Sequence, residues 1–401
     1  MSAGDLFTRR DFFGVATVAV IGYTLPEGAG AGASASTHGV WELYVGTYTT
    51  ETASRGIYRI SVDRSTGAMG PGVLAAESSN PSYLAMAPDG RSVVAVNELT
   101  EYEGVASGAV TLLTRSEPDG ALAAVGMRAS RGGAPCYVAV DRTGRHALVA
   151  NYVGGSVAVL PIGTDGTLGE ATAVMQHTGS GPHGTRQTGP HAHCIILDAA
   201  NRFALAADLG IDRIQVYRFD AGGGTLAPAD VPAVALPPGA GPRHLAFAPD
   251  GRTLYVVNEL DSTLVSFVYD SSSGALRMRQ RLSTRPRGAR GDNLPADLHV
   301  HPTGRAVYAS NRGDNTIAVF GVDPSAGTLS LMQSVPTEGD WPRNFALDPA
   351  GRLLLVANQR SDSIVAFRVQ ALTGRLTPTG QRLTTPSPVS LVFTHARPAR
   401  R

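Results

Sequence analysis

Cysteine is almost absent from this chain, and neither sign of charge predominates. Its two cysteines, Cys136 and Cys194, are too few for a disulfide framework or a thiolate metal cluster. They are either two buried thiols or, if the protein is exported, one disulfide bond. A formal net charge of +1 provides no electrostatic surface for nucleic acid or an anionic membrane. We therefore expect neither of these two partners.

The apolar run near the N-terminus, VATVAVIGYTL, is too short to cross a bilayer, which needs about 20 helical residues. It follows Arg9 and Arg10 and precedes the small residues AGASAS, which is the three-part pattern of an export signal. An arginine pair followed by DFF is typical of the twin-arginine class. We predict an export signal over residues 1–35, an exported protein, and one folded domain over residues 36–401 with no membrane span.

The sequence also shows no helical periodicity in its apolar residues. It shows instead a repeated segment. Six segments share a turn followed by an apolar run: APDGRSVVAVNE, DRTGRHALVANY, DAANRFALAADL, APDGRTLYVVNE, HPTGRAVYASNR and DPAGRLLLVANQ. The arginines of these segments recur every 47 to 57 residues, from Arg91 to Arg352. Each interval accommodates four short strands, which is the sequence pattern of one β-propeller blade.

The two ends of the chain supply the parts of one further repeat. LYVGTYTT and GIYRISVD near the start have no strand before them, and PSPVSLVF near the end has no partner after it. Joined in one sheet, they close the ring and remove its free edges. We predict an all-β fold, a seven-bladed β-propeller with four-stranded blades, in which the N- and C-terminal strands share one blade.

The hairpin around each repeated arginine predicts two sets of residues on one face of the disc. The residue nine before the arginine should face the residue six after it across two strands. The first set differs in every blade, as a site on a symmetric scaffold would: Ser82, Cys136, His193, Arg243, Ala296, Arg343 and Ser387. The second set is nearly uniform: Asn97, Asn151, Asp208, Asn258, Asn311 and Asn358. We expect the asparagines to bond backbone at strand ends; calcium binding by this ring is a weaker alternative.

The stretch QTGPHAHC places His191 and His193 on the same face at the start of a strand. The predicted register puts Asp208 opposite His193, and a carboxylate beside an imidazole fixes its tautomer and supports a general base. Arg243 and His244 occupy the same place one blade further on. The alternative is that these residues are packing residues with no chemical role.

Glu259 and Arg312 each follow one of the asparagines, so they belong to the same face. Together with Arg343 they could bind an anionic substrate, or they could form salt bridges between blades. Arg285, Arg287 and Arg290 lie in the segment STRPRGARGDN, which is either a solvated loop or an aid to anion binding.

The segment HTGSGPHGTRQTGPHAH suggests a metal site because it holds four histidines, His177, His183, His191 and His193. Only the last two lie on a predicted strand, and no fixed acidic group accompanies them. We therefore predict no metal and no cofactor.

Several spaced motifs resemble the seven-bladed β-propeller lactonases of the bacterial 6-phosphogluconolactonase type, a family that includes propeller muconate cycloisomerases. These motifs are GPRHLAFAPDG with VVNEL, PADLHVHPTGR with YASNRG, and WPRNFALDPAGRLLLVANQ. RQ-x-x-PHAH, with Arg186 and Gln187, and the later DLGIDRI are similar to that family as well. The resemblance covers roughly residues 41–395.

Carried over by motif, the resemblance implies four catalytic residues: His193, Arg243, Glu259 and Arg312. We assign supporting or substrate-binding roles to five more: His191, Asp208, His244, Arg343 and Arg186. The implied activity is hydrolysis of a sugar-acid lactone, such as 6-phosphogluconolactone or gluconolactone, by direct attack of water. No covalent nucleophile is expected, because the sequence has no G-x-S-x-G elbow.

The alternative function is a non-catalytic, exported propeller that binds a ligand or a protein through the same face. A propeller fold hosts both kinds of function, so the fold alone does not decide between them. We see no interface signature in the sequence and expect a monomer.

Overall fold

The computed structural model describes residues 39–117 and 119–394; the predicted export signal lies outside them. The described chain forms seven antiparallel sheets of four strands each. Blade 1 holds β1 (Val40–Thr47), β2 (Gly56–Asp63), β3 (Val73–Glu77) and, from the other end of the chain, β28 (Pro388–Phe393). Across the described residues, no helix has the length and apolar character needed to cross a membrane.

Blades 2 to 7 follow one another along the chain, each running from its innermost to its outermost strand. Blades 2 to 4 contain β4 (Tyr83–Met86), β5 (Ser92–Asn97), β6 (Ala109–Arg115), β7 (Leu122–Ala129), β8 (Pro135–Val140), β9 (His146–Asn151), β10 (Ser156–Pro161), β11 (Ala173–Gln176), β12 (Ala192–Leu197), β13 (Phe203–Asp208), β14 (Arg213–Asp220) and β15 (Thr225–Ala235). Blades 5 to 7 contain β16 (Pro242–Phe247), β17 (Thr253–Asn258), β18 (Thr263–Asp270), β19 (Ala275–Ser283), β20 (Leu294–Val300), β21 (Ala306–Arg312), β22 (Thr316–Val322), β23 (Leu329–Pro336), β24 (Pro342–Leu347), β25 (Leu353–Asn358), β26 (Ser363–Val369) and β27 (Leu376–Thr384). A 3₁₀ turn, Gln359–Ser361, follows β25.

The innermost strands form a closed ring, because each contacts the innermost strand of the next blade and β24 contacts β28. β28 pairs with β1, so the C-terminal strand completes the blade begun at the N-terminal end. The indole of Trp41 donates a hydrogen bond to Asp348 Oδ2 at 3.0 Å and so ties blade 1 to blade 7. The predicted seven blades and their shared closing blade are confirmed.

The repeated turn forms because an aspartate satisfies backbone N–H groups that the hairpin leaves free. Asp250 Oδ1 accepts hydrogen bonds from the backbone N–H groups of Arg252 and Thr253. Gly251 supplies the positive φ, 64°, that this turn requires and that a side chain would strain. Blade 2 repeats the arrangement with Asp89.

The apolar core is divided among the interfaces between blades. Within residues 39–117 and 119–394 there are seven clusters of buried apolar side chains, one between each pair of adjacent blades. The cluster at the closure packs Leu43 and Leu391 of blade 1 against Leu353 and Leu355 of blade 7. Burial of apolar surface therefore stabilises the closed ring as well as each blade.

A β-bulge near the start of the innermost strand corrects the predicted register by one residue. Pro242 faces Asn258 and His244 faces Val257, so Arg243 is the extra residue. The extra residues in three other blades are Cys136, His193 and Arg343. A bulge leaves its extra residue outside the ladder and re-aims its side chain. In blade 1 the extra residue is Val389, so the assignment of Ser387 to this set was wrong.

Candidate active site

Side chains from six blades surround a cavity of about 200 Å³ at the end of the ring where the innermost strands begin. Its lining contains three of the four predicted catalytic residues, His193, Glu259 and Arg312, and the fourth, Arg243, is paired with Glu259. The other lining residues are Glu98, Cys136, Tyr152, Arg186 and Arg343. The four predicted catalytic residues are therefore brought together, with Arg186 and Arg343 of the supporting set.

Glu259 is the centre of an ion-pair cluster. Its carboxylate accepts hydrogen bonds from Arg312 Nη2 at 2.6 Å and from Arg186 Nη2. Arg243 Nε lies 3.1 Å from Glu259 Oε2, although it is not aligned for a hydrogen bond. Burial alone would raise the pKa of this carboxyl, but the charges of Arg312, Arg243 and Arg186 outweigh burial and lower the pKa to about 2. Glu259 is ionised at neutral pH and holds three guanidinium groups in place.

Arg243 is also fixed from its other side. Its Nη1 donates hydrogen bonds to Ala296 O and to His244 Nε2, the latter at 3.1 Å. His244 Nδ1 in turn donates to Asp297 Oδ1 at 2.7 Å, so the ring is neutral with its acceptor directed at Arg243. Burial and the charge of Arg243 lower the pKa of His244 to about 4. Asp297 thus positions Arg243 through His244.

His193 is a buried, uncharged imidazole at the wall of the cavity. Only 5% of the residue is exposed, and its Nδ1 lies 3.6 Å from Cys136 Sγ. Among the described residues its Nε2 has no hydrogen-bond partner. Burial lowers its pKa well below the ordinary value, and the nearby charges of Arg243 and Arg343 lower it further. The imidazole is therefore neutral and able to accept a proton at physiological pH.

Arg343 is the cation of this site that forms no ion pair within the described ranges. Its guanidinium lies over the ring of Tyr48, 5.3 Å from the centroid, and has no hydrogen-bond partner among those residues. The Tyr48 hydroxyl donates to Glu98 Oε2 at 2.9 Å, which places a carboxylate nearby. Three arginines and two glutamates, Glu98 and Glu259, line the cavity, and a fourth arginine, Arg243, is paired with Glu259. The site therefore carries an excess of positive charge and favours an anion or a developing negative charge.

Asp208 does not face His193, which corrects the prediction. It faces Ala192 across the strands. Its carboxylate bonds His177 Nδ1 at 2.6 Å and accepts the backbone N–H of His191 at 2.7 Å. The bulge at His193 shifts the register, and Asp208 therefore orients His177 rather than His193.

His191 is half-buried and stacks on Tyr152, a lining residue of the cavity, with ring centroids 4.5 Å apart. Its Nδ1 donates to the backbone carbonyl of Tyr152 at 2.9 Å. His177 bonds Asp208 and His193 lies beside Cys136, so these two histidines of the segment considered as a metal site have different partners. In the part of the chain that the structure describes, no three His, Cys, Asp or Glu residues are grouped to hold a metal ion.

Four of the five asparagines bond backbone, as predicted for a structural set, whereas Asn258 donates to the Thr263 hydroxyl at 2.9 Å. Asn97 and Asn151 donate to the carbonyls of Ser79 and Ser130, and Asn311 and Asn358 bond equivalent carbonyls in their blades. Cys136 and Cys194 are free thiols in the structure, so the alternative of one disulfide bond is wrong.

The residue immediately after the asparagine position enters the site in several blades. Glu259 and Arg312 follow this rule, and so do Glu98 and Tyr152, which sequence reasoning missed. Thr47 takes the asparagine position in blade 1, because it faces Pro388, and Tyr48 follows it. The signal was present in the repeat and could have identified these three residues.

Aromatic rings cross the central channel beneath the cavity. His244 of blade 5 contacts Tyr137 of blade 3, with centroids 5.2 Å apart, and Tyr83 of blade 2, with centroids 5.8 Å apart. Tyr83 and Tyr137 stack at 4.2 Å. Because blades 2 and 5 are not neighbours, these contacts can form only across the channel. We name these three residues the aromatic plug; His244 connects it to the cavity through Arg243, which pairs with Glu259 of the lining.

Comparison with known proteins agrees with this architecture. The family model described as "Lactonase, 7-bladed beta-propeller" matches residues 42–393. The 6-phosphogluconolactonase of Bacillus subtilis is 35% identical over 359 residues, covering 88% of this chain and 98% of the relative. The solved structure of the Pseudomonas aeruginosa periplasmic gluconolactonase superimposes with a TM-score of 0.83 at 35% identity, covering 89% of this chain and 99% of the other.

The fold and the match together define the class of protein, a propeller enzyme that hydrolyses lactones. The chain belongs to the seven-bladed β-propeller lactonase family. The resemblance predicted from its motifs is confirmed.

Proposed function

We propose that this protein hydrolyses the lactone of a sugar acid by direct attack of water, with no covalent intermediate. The observation that carries the proposal is the pairing of two unengaged groups in one cavity. His193 presents a neutral imidazole whose Nε2 has no partner in the described chain, and Arg343 presents a guanidinium without an ion pair there. A lactone hydrolase needs a proton acceptor for water and a cation for the oxyanion, and these two residues are suited to those roles.

In the proposed reaction His193 Nε2 accepts a proton as water attacks the lactone carbonyl. The negative charge that develops on the carbonyl oxygen is stabilised by Arg343, with Arg312 and Arg243 beside it. Collapse of the tetrahedral intermediate breaks the bond to the ring oxygen, which takes the proton from the imidazolium. The product is the open hydroxy acid, and its carboxylate remains within the same cluster of arginines.

Glu259 acts as a positioning residue in this proposal rather than as a base. Its pKa of about 2 leaves it unable to hold a proton at neutral pH. It stabilises the positions of Arg243, Arg312 and Arg186, and preorganised charge of this kind is effective because it needs no rearrangement during the reaction. We assign His191 a supporting role next to the substrate, because it stacks on the lining residue Tyr152.

We also propose that residues 1–35 direct export, so that the enzyme meets its substrate outside the cytoplasm. The support is the three-part signal pattern in the sequence, together with a relative from Pseudomonas aeruginosa that is a periplasmic gluconolactonase. Gluconolactone and 6-phosphogluconolactone, the substrates that the names of the relatives indicate, are the first lactones to examine.

Titration of released acid by pH-stat tests the proposed activity directly. We expect the protein to consume base well above the spontaneous rate with gluconolactone, its 6-phosphate, or both. Binding of either lactone without acceleration of its hydrolysis would contradict the proposal and favour a non-catalytic binding module.

The low pKa of His193 predicts an unusual pH profile. A depressed pKa keeps the imidazole neutral as the pH falls, and protonation removes the base only below that pKa. We expect kcat/KM at pH 5.5 to remain close to its value at pH 7. A histidine base with an ordinary pKa near 6.5 would lose about nine-tenths of its activity over this interval. Initial rates at constant ionic strength, corrected for spontaneous opening, measure the difference, and a midpoint near pH 6.5 would contradict the expected profile.

A further inference from the structure

A second cavity lies beside the first and is larger, about 550 Å³; we name it the outer pocket. The two cavities share Arg186 as a lining residue. Leu260 of the outer pocket follows Glu259 in the chain, and the backbone carbonyl of Leu294, also in its lining, accepts a hydrogen bond from Arg312 Nε at 3.0 Å. The outer pocket therefore continues directly from the catalytic cavity.

Besides Arg186, the lining of the outer pocket contains the cation of Arg285. The guanidinium of Arg285 is already engaged in hydrogen bonds. Its Nε and Nη2 donate to the two carboxylate oxygens of Asp314 at 2.7 and 2.6 Å. Its Nη1 and Nη2 also donate to the carbonyls of Gly291 and Arg290, at 2.9 and 2.8 Å. These bonds use four of the five N–H groups of the guanidinium. Arg285 is consequently a poor ligand for a phosphate.

The lining also brings negative charge, which disfavours an anionic occupant. Asp261 is paired with Arg281 at 2.6 Å, and the exposed carboxylate of Asp292 has no partner among the described residues. Serine hydroxyls, at Ser262 and Ser283, complete a polar surface. Carboxylates, hydroxyls and backbone carbonyls that surround a pocket of mixed charge match the hydroxyl groups of an uncharged sugar.

We infer that the outer pocket is a subsite for an uncharged glycosyl substituent on the lactone, so that the enzyme acts on lactones of disaccharide acids (aldobionolactones). The inference rests on the proposed lactonase function and adds the substrate class. The catalytic cavity of about 200 Å³ holds the lactone ring. The neighbouring 550 Å³ holds the second sugar, and binding energy from that remote sugar can be used to position the reacting carbonyl.

The experiment compares cellobionolactone, gluconolactone and 6-phosphogluconolactone as substrates of the same enzyme. We expect kcat/KM for cellobionolactone to exceed that for gluconolactone by at least about tenfold, while the phosphate confers no comparable gain. The obstructing variant is Ser283→Trp, which fills the outer pocket from the exposed end of β19. It is expected to reduce the ratio of cellobionolactone to gluconolactone activity to about one.

Two controls accompany the obstructing variant. Ser283→Ala removes the hydrogen bonds between Ser283 Oγ and Arg285 but leaves the pocket open, so the ratio is expected to be retained. Thr384→Trp places the same ring at the equivalent exposed position of blade 7, since Thr384 faces Ser363 as Ser283 faces Thr263. It is expected to leave all three rates unchanged.

The outcomes separate the inference from the function on which it rests. Failure of the wild-type enzyme to hydrolyse any of the three lactones overturns the proposed function. Hydrolysis of gluconolactone without a preference for cellobionolactone, or with a preference that survives Ser283→Trp, overturns the subsite alone. A higher kcat/KM for the phosphorylated lactone that Ser283→Trp abolishes would show instead that the pocket binds an anion, and this also overturns the inference.

Discussion

Replacement of His193 by alanine is expected to reduce kcat/KM for the lactone by about 10²–10⁴-fold, the range that general-base catalysis contributes. The structure of the variant should be little affected, because the polar contact of the His193 ring is the 3.6 Å approach of Nδ1 to Cys136 Sγ. The measurement is the pH-stat rate of the variant, together with its thermal unfolding midpoint.

His301→Ala is a suitable control for the loss of a buried imidazole. That side chain is 5% exposed and bonds Thr303 and the carbonyl of Gly351, at the turn end of blade 6, the end opposite the cavity. It should lower the unfolding midpoint and leave the rate per folded molecule unchanged. If His193→Ala hydrolyses the lactone at the wild-type rate, His193 is not the base.

Replacement of Glu259 by alanine is expected to have the largest effect on stability. It removes the carboxylate shared by three arginines, two of which, Arg243 and Arg312, are almost fully buried. Loss of one partner of a buried ion pair costs about 3–5 kcal/mol in the free energy of unfolding, because the remaining charge stays buried and unpaired. The rate should fall as well, since the guanidinium groups lose their fixed positions. Chemical denaturation and the pH-stat assay measure the two effects.

Glu42→Ala is the matched control, because Glu42 is also shared by arginines, Arg59 and Arg115, at a more exposed site. Partly exposed ion pairs contribute about 1 kcal/mol or less, so its loss should be small. The double variant Glu259→Ala/Arg243→Gln should recover part of the stability lost in Glu259→Ala, since it removes an unpaired charge. A Glu259→Ala protein as stable as the wild type would show that solvent, rather than Glu259, compensates the arginines.

The fold could be predicted from the sequence because the blades repeat one pattern of turn and strands. A turn that contains aspartate and glycine in four of the six segments joins two apolar strands, and this unit recurs often enough to be counted. The closure was also accessible, since unpaired strand patterns at both ends of the chain can only be satisfied together. Local turn chemistry and strand pairing therefore determine most of the architecture.

The candidate site could be predicted from the sequence only in part, for two physical reasons. The register rule assumes an unbroken ladder, whereas a bulge inserts an extra residue at His193, and Asp208 consequently pairs with His177. A sequence pattern does not show which residues meet across the channel. The contact of Tyr83 with His244 joins blades 2 and 5, which are distant both in sequence and in the order of the ring.

The aromatic plug determines how substrate and product enter and leave the site. Because Tyr83, Tyr137 and His244 are in contact across the axis, the central channel is closed at this level to a molecule as large as a sugar acid. A ligand must leave by the mouth through which it entered, past the arginines that attract its carboxylate. Product and substrate therefore pass through the same opening in turn, and the released acid competes with the next lactone molecule for it.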